Sequence, residues 1–201
     1  MKVRITLLLL FPLFIRVVQV NAQQVPAVAT DISPLLIGEK IPDQTLKSIS
    51  DAAVSLSTLF KDKPSVLIFY RGGWCPFCNT QLADLQTIEK DILNLGYQIV
   101  AISPDSPESL RASIDKHKLN YRLYSDASMA LAQSLGIAFA VSGGMTERLK
   151  TSSGGLNPGM LPVPSVFVVN TEGEILFEYI NPDYKKRIKG SLLLAVLKEL
   201  K

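Results

Sequence analysis

The chain carries two cysteines, and they stand three positions apart in Cys75-Pro76-Phe77-Cys78. A pair at this spacing suits thiol–disulfide chemistry: one sulfur attacks as a thiolate, and the other resolves the product as an intramolecular disulfide. A purely structural disulfide is the first competitor. It would close so short a loop that it restricts the unfolded chain only slightly. A metal site is the second competitor, but two thiols and one distant His117 do not make up four ligands. Spacing and surroundings together point to redox chemistry, with no metal and no cofactor.

The elements that must position the pair can be read around it. Residues 65–70 (Ser-Val-Leu-Ile-Phe-Tyr) form a short apolar run of the kind found in a strand buried on both faces. Gly72-Gly73 breaks the run and lets the backbone turn tightly. Beyond it, Leu82, Leu85, Ile88, Ile92 and Leu95 recur at three- and four-residue spacing, which predicts an amphipathic helix over residues 76–95. Cys75 then lies at the mouth of that helix, where free backbone N–H groups stabilise a thiolate, and Cys78 lies one turn in. Pro76 suits the first turn, which needs no N–H from it. By these criteria either cysteine can be the attacking one. Arg71 is the nearest cation in sequence, either lowering a thiol pKa or standing solvated in its loop. Trp74 packs beside the site. His117, Lys185, Lys186, Arg187 and Lys189 read as solvated, the last four on the outer face of the final helix.

The rest of the chain alternates strands and helices. A β-hairpin region with a short helix near residues 57–60 comes first. Strands are expected at 98–103, 121–124 and 137–141, with helices opening at Pro107 and covering 127–135. Residues 142–162 read as a long glycine-rich loop, and the hairpin 166–180 and a final helix over 183–200 close the chain. This is an α/β pattern: a three-layer fold with a mixed central sheet, helices on both faces and an N-terminal β-hairpin extension.

The N-terminus needs separate treatment. Lys2 and Arg4 precede an apolar run over residues 5–15, and Val20-Asn21-Ala22 places a cleavage signal before Gln23. This is the pattern of a secretory signal peptide, and the run is too short to span a bilayer as an anchor. The expected organisation is a signal peptide at 1–22, a tether at 23–33 and one domain at 34–201, exported to a periplasm or secreted. Removing Lys2, Arg4 and Arg16 from 21 basic residues leaves them level with the 18 acidic ones. A neutral mature chain gives no electrostatic footprint for nucleic acid, and no membrane association is expected after cleavage.

The run Tyr70-Arg71-Gly72-Gly73-Trp74-Cys75-Pro76-Phe77-Cys78 resembles the peroxiredoxin-like branch of the alkyl hydroperoxide reductase and thiol-specific antioxidant (AhpC/TSA) family, within the thioredoxin-fold superfamily. Ile41-Pro42-Asp43, Ser103-Pro104-Asp105-Ser106, the segment 161–169 and Asn181-Pro182-Asp183-Tyr184 extend the likeness in order over residues 34–201. The resemblance implies a thioredoxin-like fold, catalysis by Cys75 and Cys78 as a redox-active disulfide, and a cis-proline at Pro164 facing them. Arg71, Trp74 and Pro164 would shape the site. Typical members carry PxxxTxxC. Aligned on Cys75, that motif meets Ile68 and Gly72; aligned on Cys78, it meets Arg71 and Cys75. Neither alignment supplies the hydroxyl, and the arginine of a later strand is absent, with Pro164 in that region. The buried acid of thioredoxins also has no counterpart in the apolar strand 65–70.

The implied activity is a thiol peroxidase that reduces hydrogen peroxide or organic hydroperoxides and is recycled by a thioredoxin-like protein reductant. The alternative is an exported thioredoxin-like oxidoreductase acting on protein disulfides. A third reading is a binding module whose disulfide is only structural.

Overall fold

The computed structural model describes residues 25–201. The signal peptide expected at 1–22 and the first residues of the expected tether lie outside them. Residues 25–33 are not a free tether. Val25 packs against the core, the Pro26 carbonyl accepts a hydrogen bond from Ala140 N–H at 2.8 Å, and Ala29–Asp31 forms one 3-10 turn.

A seven-stranded mixed sheet organises the molecule. In chain order the elements are β1 (Thr45–Ser48), β2 (Ala53–Ser55), α1 (Leu56–Phe60), β3 (Ser65–Phe69), α2 (Pro76–Asn94), β4 (Gln98–Ser103), α3 (Pro107–His117), β5 (Arg122–Ser125), α4 (Ala130–Ser134), β6 (Ala138–Ala140), α5 (Gly144–Ser152), β7 (Met160–Pro162), β8 (Ser165–Val169), β9 (Ile175–Ile180) and α6 (Gly190–Glu199). The sheet runs β2-β1-β5-β4-β3-β8-β9, while β6 and β7 pair separately. β3 is central: it runs parallel to β4, with Leu67 beside Val100, and antiparallel to β8, with Leu67 beside Phe167. The β1–β2 hairpin extends the sheet through an antiparallel pairing with β5.

Because β3 is covered on both faces, all five of its residues are buried and its side chains feed two cores in alternation. Val66 and Ile68 join Leu82, Leu85 and Ile92 of α2 and Leu193 and Leu197 of α6. Leu67 and Phe69 face the other way, towards Leu56 and Leu59 of α1 and Leu131 of α4. Phe69 meets Phe167 edge to face, with ring centroids 5.9 Å apart. The backbone N–H of Gly190 donates to Asp84 Oδ2 at 2.7 Å, which ties the start of α6 to the middle of α2.

Two segments depart from the sequence reading. Residues 142–162 are not a loop throughout: they hold α5 and β7. The helix buries one apolar side chain, Leu149, so no hydrophobic period announces it, and Gly143-Gly144 and Gly154-Gly155 bracket it with turn signals. The last helix begins at Gly190 rather than near residue 183. Asn181 Oδ1 accepts from Asp183 N–H at 3.0 Å and Asp183 Oδ1 from Lys185 N–H at 3.1 Å, so side chains hold this stretch in turns instead.

Phe167, on β8 beside β3, is fully buried. Replacing it with alanine is expected to cost about 3–5 kcal/mol. Urea unfolding of the wild type and Phe167→Ala should show a lower midpoint at similar slope.

Candidate active site

The site is built where β3 ends and α2 begins. Phe69 is the last strand residue, Tyr70 N–H still bonds to Ile102 O at 3.1 Å, and the chain then turns through residues 71–74. Cys75 N–H closes that turn on Gly72 O at 3.1 Å. Cys75 is the N-cap of α2, Pro76 occupies its first turn, and Cys78 stands at the third helical position. Asn79 braces the loop by donating from Nδ2 to Gly73 O at 2.9 Å. The structure therefore places the cysteines where the pattern of glycine, proline and apolar residues put them. Both thiols are free, and both residues are at most 1% exposed.

The environments of the two sulfurs differ. Hydrogen bonding to the Cys78 side chain lowers the Cys75 pKa to about 6, against the opposing effect of burial, and the charges of Arg71 and Arg187 add to the lowering. Hydrogen bonding to Cys75, and then burial, push the Cys78 thiol well up. Near neutral pH, then, Cys75 carries the negative charge and Cys78 keeps its proton. That removes the symmetry left open by sequence: Cys75 is the more readily ionised thiol and Cys78 the one that keeps its proton.

Arg71 joins the site rather than standing free in solvent. Its guanidinium lies 4.2 Å from the Tyr184 ring centroid and 5.2 Å from that of Trp74. Phe77 packs edge to face on Tyr184 with centroids 5.7 Å apart. Trp74, Arg71, Tyr184 and Phe77 thus make a continuous aromatic and cationic rim.

Three findings correct the sequence reading. Arg187 is not on the outer face of a helix. It lies in the turns before α6, half-buried, and its Nη2 reaches Cys78 Sγ at 3.5 Å. Its Nη1 is held by the carbonyls of Tyr184 and Lys186, while its buried Nε has no partner. A guanidinium thus stands at the site from the turns before α6. Sequence offered no signal for it, because a run of Lys-Lys-Arg reads as a solvated face. Secondly, the described residues contain no cis peptide bond, so the Val163–Pro164 bond is trans. Pro164 is buried directly before β8, and its carbonyl accepts from Asn181 N–H at 3.2 Å, so it still anchors the segment that carries Tyr184 and Arg187.

Thirdly, the site has a buried acid, delivered by a different strand. Asp105 follows β4, is 1% exposed, and accepts from Gly73 N–H at 2.7 Å through Oδ2. Burial raises its pKa to about 6, partly offset by the Gly73 N–H. Close packing of Trp74, Asp105 and Ser113 around the turn explains the paired glycines. A Cβ on Gly72 would stand 2.3 Å from Trp74 Nε1 and 2.8 Å from Asp105 Oδ1, and one on Gly73 would stand 1.9 Å from Ser113 Oγ. Tyr70, fully buried under the same loop, has its hydroxyl pKa raised by burial and then by the Asp105 charge. The Ser103-Pro104-Asp105 match was the available signal for this acid, but sequence could not show that it faces Gly73.

Comparison with known proteins follows the same line. The AhpC/TSA family model matches residues 37–177. Peroxiredoxin Bcp of Bacillus subtilis is 29% identical over 156 residues, covering 78% of this chain and 92% of its own. A chloroplastic peroxiredoxin Q of Sedum lineare is 33% identical over 111 residues, covering 55% of this chain and 59% of its own. Among solved structures, peroxidoxin BcpB of Mycobacterium tuberculosis superposes with a TM-score of 0.66 at 21% identity, covering 82% of this chain and 97% of that one. Reduced Prx3 of Vibrio vulnificus superposes with a TM-score of 0.70 at 15% identity, covering 81% of this chain and 99% of that one. The structures share the fold, a thioredoxin-like sheet with helices on both faces.

A Cys75 pKa of about 6 fixes the direction of the pH dependence. Alkylation of Cys75 by iodoacetamide should rise through pH 6 and level off by about pH 7, because the thiolate fraction saturates above the pKa. In Cys78→Ala, which lacks the thiol that lowers the value, the midpoint should move up towards the ordinary cysteine range. Peptide mass mapping of the labelled protein against pH measures both.

Proposed function

This chain belongs to the AhpC/TSA family and is a peroxiredoxin-type thiol oxidoreductase, and from that premise we propose that it reduces hydrogen peroxide or organic hydroperoxides through Cys75 and Cys78, with a thioredoxin-like dithiol protein as reductant. The observation that carries the reading is the unequal pair at the start of α2, in which Cys75 is held as a thiolate and Cys78 as a thiol.

The cycle balances with these two sulfurs. The Cys75 thiolate attacks one peroxide oxygen, the O–O bond breaks, and the leaving hydroxide or alkoxide takes up a proton as water or alcohol. Cys75 becomes a sulfenic acid. Cys78 then loses its proton and attacks the Cys75 sulfur, the sulfenic oxygen leaves as water, and a disulfide forms. Two electrons and two protons from the reductant restore the dithiol. Cys78 can act only after Cys75 is oxidised, because the thiolate that raised its pKa has then gone.

Arg187 serves both halves. The Nη2 contact to Cys78 Sγ stabilises the resolving thiolate as it forms, and the unpartnered Nε–H is a donor for oxygen at the same site. The peroxidase motif lacks its hydroxyl here, so a cationic donor from the 181–189 segment takes on more of the oxygen binding. The protein-disulfide alternative would use the same thiols, but family membership favours peroxide as the oxidant.

Peroxide consumption with dithiothreitol, followed for the wild type, Cys75→Ser and Cys78→Ser, tests the reading. Cys75→Ser should be inactive, and Cys78→Ser should accumulate a sulfenic acid on Cys75 that dimedone traps. Equal rates in all three proteins would refute the peroxidase, and a dimedone label on Cys78 in Cys75→Ser would reverse the roles. Arg187→Met should slow disulfide closure in a single turnover by roughly 10- to 100-fold, as loss of a charge-assisted contact implies. Arg187→Lys should recover part of that loss.

A further inference from the structure

Two side chains hold the redox turn through its backbone rather than through sulfur. Asp105, after β4, accepts Gly73 N–H through Oδ2 at 2.7 Å. Asn79, one turn into α2 from Cys75, donates from Nδ2 to Gly73 O at 2.9 Å. Each grips a different peptide plane. The Gly73 N–H and the Gly72 carbonyl belong to one planar unit, and that carbonyl accepts Cys75 N–H at 3.1 Å. Asp105 therefore fixes the acceptor that orders the Cys75 backbone. The Gly73 carbonyl belongs to the next unit, which Asn79 fixes from the helix. Asn79 also donates its own N–H to Cys75 O at 3.1 Å. Both polar backbone groups of Cys75 are thus bonded to parts of the same clamp.

The turn needs such a clamp because its own residues are permissive. Gly72 has φ +138°, a conformation that glycine enters freely, and Gly73 beside it also lacks a side chain. A carboxylate suits the first contact, since a charged acceptor makes the shorter and stronger hydrogen bond. The Gly73 N–H is the largest of the hydrogen bonds that favour the charged form of Asp105. A carboxamide suits the second contact, because a carbonyl must be met by a donor.

The place of Cys75 matters to its chemistry. Its thiolate is favoured first by the Cys78 side chain, then by the Cys78 N–H and the charges of Arg71 and Arg187. Hydrogen bonds weaken steeply with distance and angle, so a displaced Cys75 would lose the first two. The Asp105 carboxylate is not one of these groups, which leaves it the backbone as its route to the thiol. We propose that Asp105 and Asn79 are positioning residues for the thiol reaction. By clamping the two peptide planes that meet at Gly73, they hold Cys75 at the N-cap of α2, facing the Cys78 N–H. Loss of either contact disarms Cys75 without removing any reacting atom. The inference rests on the reading of Cys75 as the attacking thiol.

The test measures Cys75 directly and uses no peroxide, so it stands whether or not peroxide is the oxidant. Iodoacetamide labelling of the full-length protein is followed against pH by peptide mass mapping. In Asp105→Ala and in Asn79→Ala the midpoint should move up from about 6 towards the ordinary cysteine range. Labelling near pH 7 should slow about ten-fold, the fall in thiolate fraction when a midpoint passes from about 6 to about 8. Asp105→Asn keeps an acceptor for Gly73 N–H and should recover most of the loss. Alanine is the better helix former, so a loss in Asn79→Ala does not come from a weakened α2. The double variant should be little worse than either single one, because both contacts act on one turn. Circular dichroism establishes which variants are folded. Wild-type midpoints in the folded alanine variants would overturn the proposal. So would an Asp105→Asn midpoint displaced as far as that of Asp105→Ala, which would give the role to the charge. If Asp105→Ala does not fold, Asn79→Ala decides alone: a raised midpoint supports the clamp and a wild-type one refutes it. A wild-type protein that labels first at Cys78 would overturn the reading of Cys75, and the clamp with it.

Discussion

The Asp105 carboxylate, closed away from solvent and bonded to Gly73 N–H, is the contact on which the geometry of the site depends. It joins the end of β4 to the turn after β3, the point at which the backbone must leave the sheet and start α2. With the carboxylate on one side and Ser113 on another, no side chain fits at Gly72 or Gly73. The turn is consequently tight, Cys75 falls at the N-cap, and Cys78 falls one turn further along the buried side of α2.

Burial sets the chemistry by making the sulfurs unequal. Two thiols in one low-polarity site cannot both ionise cheaply, so the first proton lost leaves a thiolate stabilised by its neighbour and the second is held tightly. The helix start and the guanidinium groups of Arg71 and Arg187 favour placing that charge on Cys75. A single buried pair thereby acquires two unequal thiols, with Cys75 the more readily ionised. The cations come from segments far apart in the chain, one from the redox loop and one from the turns before α6. Asn181 binds Pro164 O and caps Asp183, so the segment carrying Arg187 is fixed to the start of β8.

Two features of the surroundings meet at Trp74. The aromatic and cationic rim of Trp74, Arg71, Tyr184 and Phe77 lies beside the thiols, while the cleft between α3 and α5 opens on the other side of Trp74. Trp74 belongs to both. Its ring stacks with Arg71 towards the thiols and with Arg148 towards the cleft, which makes it the wall between the site of oxidation and the groove.

The central strand, the helix over 76–94, the strand at 98–103 and the cysteine pair at the strand–helix junction were all legible in the residues. Their signals are local: an unbroken apolar run, a 3.6-residue period, glycines and a proline at the turn. Membership of the AhpC/TSA family was equally legible, since it rests on short motifs in a fixed order. Tertiary structure decided what local pattern cannot carry. α5 has one buried residue and so no period; Asn181 and Asp183 divert a helical-looking stretch into turns; Pro164 takes the trans bond. Asp105 and Arg187 look like ordinary surface charges along the chain, and they join the site because the fold buries Asp105 against Gly73 and brings the half-buried Arg187 to Cys78. The identity of the thiols was written in the sequence, but which of them is charged is decided by the hydrogen bond and burial that the folded start of α2 imposes on the pair.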